Sequence, residues 1–527
     1  MNAALQTDIA ILGGTPGGIA AAIAAARLGR SVLLIEPQPH IGGMSTSGLG
    51  KSDVERRDLI GGLFQEFTSR IHQYYLNQYG PDSENASLCQ NGYYFEPSVA
   101  ETIFKEMLAT ESQITLLKNH RLHSATTIEH RLTEITVSEY EMGEQKSIQA
   151  QTFIDATYEG DLLAAAGAAF RLGREARDEF HEPHAGKIYF DYQQQTFLPD
   201  STGRGDDRLP AYTYRLSLTT NPANAAPLTE PPADYDRAHY LGYFDDLAAG
   251  RLAGPTSFKP GRGYEPAHFN TLVRALSVTP LPNQKTDVNI NPRPLGFPFP
   301  EENRDYVTGD VATRDAICTR IRNLTLGLLW FLQHDEQIPA DQRELALQYH
   351  LPKDEFTDNG HFPYQLYIRE ARRLVGEFTL TERHITHQPE QGIDASETEP
   401  FPDTIAIGEF PIDSFPCRKQ QPGDTIVLEG YLGMLDHITR PYEIPYRIMI
   451  PQTIDGLIVP VAASTTHVAF SSIRMEPTWM ALGQAAGVAA HLAMQHQCRL
   501  RNVPIQELQT QLVHDGQILK HQPVISQ

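Results

Sequence analysis

The chain has 527 residues, enough for two or three domains at roughly 100–200 residues each, and its 40% apolar and 9% aromatic content excludes a disordered or fibrous protein. Acidic residues outnumber basic ones by 65 to 43, and the formal net charge of −22 opposes a phosphate backbone or an anionic membrane, so neither nucleic acid nor a membrane is the expected partner. Cys89, Cys318, Cys417 and Cys498 form no CxxC pair, so no metal site and no dithiol centre are expected, and a reduced, cytoplasmic setting is. No apolar run reaches the ~20 residues that span a bilayer, and Met1–Thr7 lacks the basic stretch of a secretory signal.

Asp8–Leu12 is a short continuous apolar run, as in strands buried on both faces of a parallel sheet. Gly13, Gly14, Thr15, Pro16, Gly17 and Gly18 follow, then an Ala-rich helical segment to Leu28 that stops at Gly29. A second apolar run, Ser31–Ile35, ends in Glu36. Strand, glycine turn, helix, strand and acid in this order make a βαβ dinucleotide-binding unit, whose helix N-terminus faces a pyrophosphate and whose acid holds ribose hydroxyls. Gly13 and Gly18 match the first and third glycines of GxGxxG, whereas Thr15 stands at the second. Glu36 suits an unphosphorylated ribose, hence FAD or NAD.

Further along, Pro97 opens a helix to Leu108, and alternating runs over Ile114–Ile154 predict a small antiparallel meander. The stretch 195–310 is rich in Pro, Gly, Asn and Asp and reads as a loop-heavy cap without regular sheet. Helices are expected over Thr313–His334 and Ala340–Tyr349, with Trp330 and Phe331 in the core. The returning half should carry Thr425–Leu428, Tyr442–Ile450, the strand Leu457–Val461, a polar connection Ser464–Glu476, and a small-residue helix through Ala481–Met494 that opens at Pro477.

The loop His40–Gly50, with Gly42-Gly43 just after the second-strand acid, resembles the FAD-dependent oxidoreductases of the glutathione reductase-like class. Asp155-Ala156-Thr157, Phe95-Glu96-Pro97, the run Gly173–Asp178, Arg369–Arg373 and the long motif Thr466–Gly487 extend that resemblance to a family of FAD-dependent oxidoreductases whose members are often labelled xanthan lyases. The resemblance implies an α/β fold: a Rossmann-like FAD-binding domain with a β-meander and an inserted mixed α+β cap or substrate domain. The parts would be 1–170, 171–400 and 401–527. It implies FAD as cofactor and assigns binding roles to Gly13, Gly14, Thr15, Pro16, Gly17, Gly18, Glu36, Gly42, Gly43, Met44, Ala156, Asp161, Met475 and Gly483.

An enzyme of this kind transfers a hydride from a small-molecule substrate to the flavin. His467 is the expected proton acceptor, its alternative being a histidine that orders its loop. Arg474, Arg369 and Arg372 are suited to an anionic, carbonyl-bearing or sugar-like substrate, the alternative for each being an ion pair with Glu370, Glu377 or Glu476. Asp413 and Tyr446 are secondary polar candidates, and Gly173–Asp178 a candidate hinge. Two other classes stay open: a polysaccharide lyase acting on uronates, and an FAD-containing nucleic-acid-modifying protein, which the net charge disfavours. The electron acceptor and oligomeric state are left open.

Overall fold

The computed structural model describes residues 4–140, 142–191, 194–248, 258–259, 263–264, 276–290, 297, 299–388, 393–394, 400–421 and 427–521. Its centre is a seven-stranded sheet. The strands β1 (Leu5–Leu12), β2 (Val32–Glu36), β3 (Ile114–Lys118), β4 (His120–Ile128), β5 (Arg131–Glu139) and β6 (Gln145–Asp155) lie in the order β3-β2-β1-β6-β5-β4. A closing strand, Leu457–Ile458, runs parallel to the second half of β6, whose first half pairs with β5.

β1, β2, β3 and β6 are parallel, and β4 and β5 form the antiparallel meander with β6. Ile114–Lys118 therefore corrects the sequence reading. It is not the first meander strand but the outer strand of the parallel sheet, paired to β2. Alternation in β1 sorts its side chains: Ile9 and Ile11 enter the large core with the helices, while Ala10 and Leu12 join the cluster of Leu132, Ile135 and Val137. The register puts Leu12 opposite both Ile35 and Asp155, so β1, β2 and β6 end at one level. In open α/β sheets this carboxyl edge is where ligands bind.

Between the sheet and a closing helix (Glu476–Gln495) lies α1 (Pro16–Arg27), buried from Pro16 to Ala26. Small residues allow this. A Cβ at Gly483 or Gly487 would overlap the carbonyl oxygen of Gly17 or Ala21, so the two helix backbones nearly touch. Apolar burial all round, not an amphipathic stripe, is what such a central helix requires.

Several expected elements shift. The helix from residue 97 runs Pro97–Ala109, the long helix is Val311–His334 capped by Asp310, and the next is the shorter Ala340–Ala346. Phe331 is buried, while Trp330 stacks on His334 and is half-buried. The 195–310 region does hold regular sheet, a three-stranded antiparallel unit of Leu216–Thr219, Lys285–Val288 and Val278–Leu281. Its Lys285 and Asp287 are buried in ion pairs, which hides the strand pattern in the sequence. Tyr442–Pro445 is a strand but continues as a 3-10 turn, Thr425 falls outside the described residues, and the polar connection contains a helix, His467–Ile473. Among the described residues, no helix is long and apolar enough to cross a membrane, no group of three His, Cys, Asp or Glu side chains is placed to hold a metal ion, and all four cysteines are free.

Candidate active site

The glycine turn begins at Gly13, whose φ of +102° is open only to glycine-like backbone, with Ala156 packed against it. A Cβ at Gly18 would overlap Gly13 O, so α1 starts in contact with the end of β1. Pro16 occupies the first turn, where no N–H is needed. Thr15 caps the helix: its hydroxyl donates to Ala156 O at 2.8 Å and accepts from Gly18 N at 3.2 Å. Its backbone is extended, so no left-handed conformation calls for glycine at this position. The hydroxyl ties the turn to β6.

Glu36 ends β2 beside this turn. Its carboxylate accepts from Gly14 N at 2.7 Å and Gln38 N at 2.9 Å, and burial pushes it up to about 8. Gly42, in left-handed backbone at φ +96°, donates its N–H to Gly14 O at 2.7 Å, and Gly43 lies against the Tyr158 hydroxyl. The 42–44 loop is thus fastened to the glycine turn.

Tyr158 joins this loop to the closing helix. Its hydroxyl accepts from Met44 N at 3.0 Å and donates to Glu476 Oε1 at 2.6 Å. Met475 stands at the N-cap position of that helix with no side-chain cap hydrogen bond, and Trp479 O sits against Gly17. Residues 13–18, 36, 42–44, 156 and 475–483 therefore converge. Gly483 belongs to the helix–helix contact with Gly17. Glu476 Oε2 and Trp479 Nε1 are buried without hydrogen-bond partners among the described residues, and burial raises the Glu476 carboxyl to about 8. A glycine turn that opens a helix at the carboxyl edge of the sheet, with the orphaned Glu476 Oε2 and Trp479 Nε1 in the helix packed against it, fits a bound dinucleotide.

Asp155 closes the end of β6, accepting from the Thr157 hydroxyl and from Leu163 N at 2.7 Å each. Asp161 opens the short helix that follows and is held by two arginines. It accepts from Arg314 at 2.6 and 2.8 Å and from Arg372 at 2.9 Å. Arg372 also donates to Glu159 O and Val307 O, so these groups join the 159–161 turn to the 307–314 segment.

His467 opens its short helix. Its N–H donates to Glu175 at 2.8 Å, and its Nδ1 lies 2.6 Å from Glu370 Oε2. Nε2 has no partner among the described residues. Arg373 pairs with both Glu370, at 2.9 Å, and Glu175, at 2.7 Å, fixing the two carboxylates that hold His467. A buried carboxylate on Nδ1 selects the tautomer that leaves Nε2 as an acceptor. Sequence reading missed Glu370 in this role, taking it as an ion-pair partner of arginine, which it also is. No spacing links it to a histidine 97 positions away. Tyr158 and Glu476 were missed for the same reason.

The remaining arginines differ from one another. Arg474 donates to the Tyr367 hydroxyl at 2.9 Å and to Asp413 O at 2.7 Å, and lies 3.5 Å from the Asp413 carboxylate. Tyr446 is structural, donating to Leu500 O. Arg369 is fully buried, stacked 3.6 Å above Phe415, and donates to Ala211 O and Thr213 Oγ1. Among the described residues no carboxylate lies within ion-pair distance of it, and its Nε has no partner. Burial, with Arg474 and Arg215 nearby, pulls its guanidinium down to about 9.

A cleft of about 690 Å³ lined by Gln6, Asp8, Ser31 and Gln149 lies at the amino end of β1, the wrong edge for a nucleotide. No curated protein matches the chain in sequence. Solved structures similar to parts of it include Thermovibrio ammonificans THI4, at 20% identity over 32% of this chain and 66% of that one, with a TM-score of 0.22. Others are the glycerol-3-phosphate dehydrogenase from Bacillus halodurans complexed with FAD (14% identity, 39% and 45% covered, TM-score 0.22) and the rebeccamycin biosynthetic enzyme RebC with reduced flavin (14%, 38% and 45%, 0.22). The chain spans 45% to 66% of the length of these three structures. A family model described as FAD dependent oxidoreductase matches residues 8–512. Matched over nearly its whole length, and with the glycine turn, Glu36 and Gly42-Gly43 gathered at one sheet edge, the chain belongs to the FAD-dependent oxidoreductases and is an FAD-dependent enzyme.

Proposed function

We propose that this enzyme is of the glutathione reductase type and oxidises a small, polar, anionic molecule, with the 171–400 segment as substrate cap. Bound FAD supplies a two-electron acceptor for a substrate C–H bond. On this reading the FAD is held by the first turn of α1, Glu36, the 42–44 loop, Ala156 and the start of the closing helix. The observation that carries the proposal is the His467–Glu370 pair, 2.6 Å apart, with no partner on Nε2 among the described residues. Nε2 takes the proton of a substrate hydroxyl or amine as the adjacent C–H bond breaks, and Glu370 stabilises the resulting imidazolium. Glu370 acts through His467 and is a positioning residue. Arg369, a buried cation with no carboxylate within ion-pair distance among the described residues, supports an anionic substrate.

His467→Ala should keep its flavin and lose about 10²–10⁴ in the rate of flavin reduction by substrate. Glu370→Gln should slow reduction less and displace the pH profile of that step. Stopped-flow absorbance checks both. An unchanged rate in His467→Ala removes that residue from the chemistry.

A further inference from the structure

A second group of cations lies along a separate cleft. The cleft has a volume of about 680 Å³ and is lined by Arg177, His181, Arg204, Gly203, Thr202 and the carboxyl-bearing Asp178 and Glu182. Arg177 is half-buried with its guanidinium 4.9 Å above the Phe197 ring. Its Nε and Nη2 are buried and have no hydrogen-bond partner, and among the described residues no carboxylate lies within ion-pair distance. Leaving such a charge-bearing donor unpaired is costly, and a ligand anion removes the cost.

The surroundings fit that ligand. Gly203 lies against Arg177, where a Cβ would come within 3.1 Å of Nε, so glycine keeps the approach to the guanidinium open. Gly203 also fixes the walls, accepting from Arg177 N and donating to Lys187 O. Arg204 and His181 are exposed on the rim. Of the acids, Asp178 is solvated on the surface. Glu182 is buried and accepts from Glu382 N and the Thr466 hydroxyl at 2.6 Å each, and burial, with the neighbouring Glu382 carboxylate, raises it to about 8, so at neutral pH it stays largely protonated. The cleft is then net basic in a protein whose overall charge is −22.

We propose that this cleft binds an anionic group, a carboxylate or a phosphate, with Arg177 as the anchoring residue. Because Thr466 caps the helix that begins with His467, the inner wall of this site is one residue from the proposed base. The proposal stands without that base: it rests on Arg177 and the cleft alone.

The test is calorimetric titration of the flavin-loaded full-length enzyme with inorganic phosphate and, separately, with acetate, at constant ionic strength set by chloride. Saturable binding of either is expected, and the arm that binds identifies the phosphoryl or carboxylate source. Arg177→Gln should weaken binding by about tenfold or more, because a charge-assisted hydrogen bond is lost, with the flavin spectrum unchanged. Arg204→Glu, at an exposed position that leaves folding intact, should weaken it several-fold and decides the matter if Arg177→Gln does not fold. Absence of saturable binding in the parent enzyme, or equal affinity in the variant that folds, overturns the proposal.

Discussion

Thr15 stands where the fingerprint has its second glycine, and its hydroxyl carries a structural role of its own. The backbone there is extended, so the position asks for no left-handed residue, and the side chain caps α1 while holding the end of β6. Gly18 has no such freedom, since any Cβ overlaps Gly13 O. Gly18→Val should push α1 off the sheet edge and yield colourless protein, read directly in the visible spectrum; full FAD occupancy in that variant would contradict the pyrophosphate assignment. The turn, Glu36 and Gly42-Gly43 were legible in the sequence because they lie within one local unit. Glu370, Tyr158 and Glu476 were not, because each acquires its role from a partner brought near only by folding. The arginines were legible as a class but not individually: burial and pairing separate Arg369 from Arg372, and neither is written in the RExRR string.

At the scale of elements, the contact between α1 and the closing helix joins the two ends of the chain. Gly17 faces Gly483 and Ala21 faces Gly487, one helical turn apart on each helix. Gly487→Leu must displace the Ala21 backbone, and should cost at least about 1–3 kcal/mol as overpacking does, measured by chemical denaturation of the holoenzyme. No change in stability would mean that the helices have room to separate. The Ala-rich pattern of both helices announced close packing, but the pairing partner did not follow from it. Likewise β3 looked like a meander strand because alternation alone does not reveal direction, and its parallel pairing to β2 is set by the crossover helix Pro97–Ala109 that precedes it.

Across the whole molecule, burial raises the carboxyls of Glu36, Glu182 and Glu476 from 4.5 to about 8 each. Between those values the folded state holds more protons than the unfolded one, so stability falls as pH rises through that window. Flavin-stripped protein should therefore denature more easily at the upper end of the window than near its lower end. Glu476→Gln, which keeps a neutral acceptor for the Tyr158 hydroxyl, should flatten the decline; a rise in stability across the window would contradict the burial argument. The closing strand, from the far end of the chain, lies beside β6 in the central sheet. The central claim is that this scaffold brings a substrate C–H bond to the flavin under His467 and Arg369. Anaerobic mixing of the flavin-loaded enzyme with a panel of hydroxy acids, sugars and uronates tests it most directly: a carboxylate-bearing substrate should bleach the oxidised-flavin absorbance, and should fail to do so at the same concentration in Arg369→Met. Conversion of a uronate to an unsaturated product with the flavin absorbance unchanged throughout would contradict it.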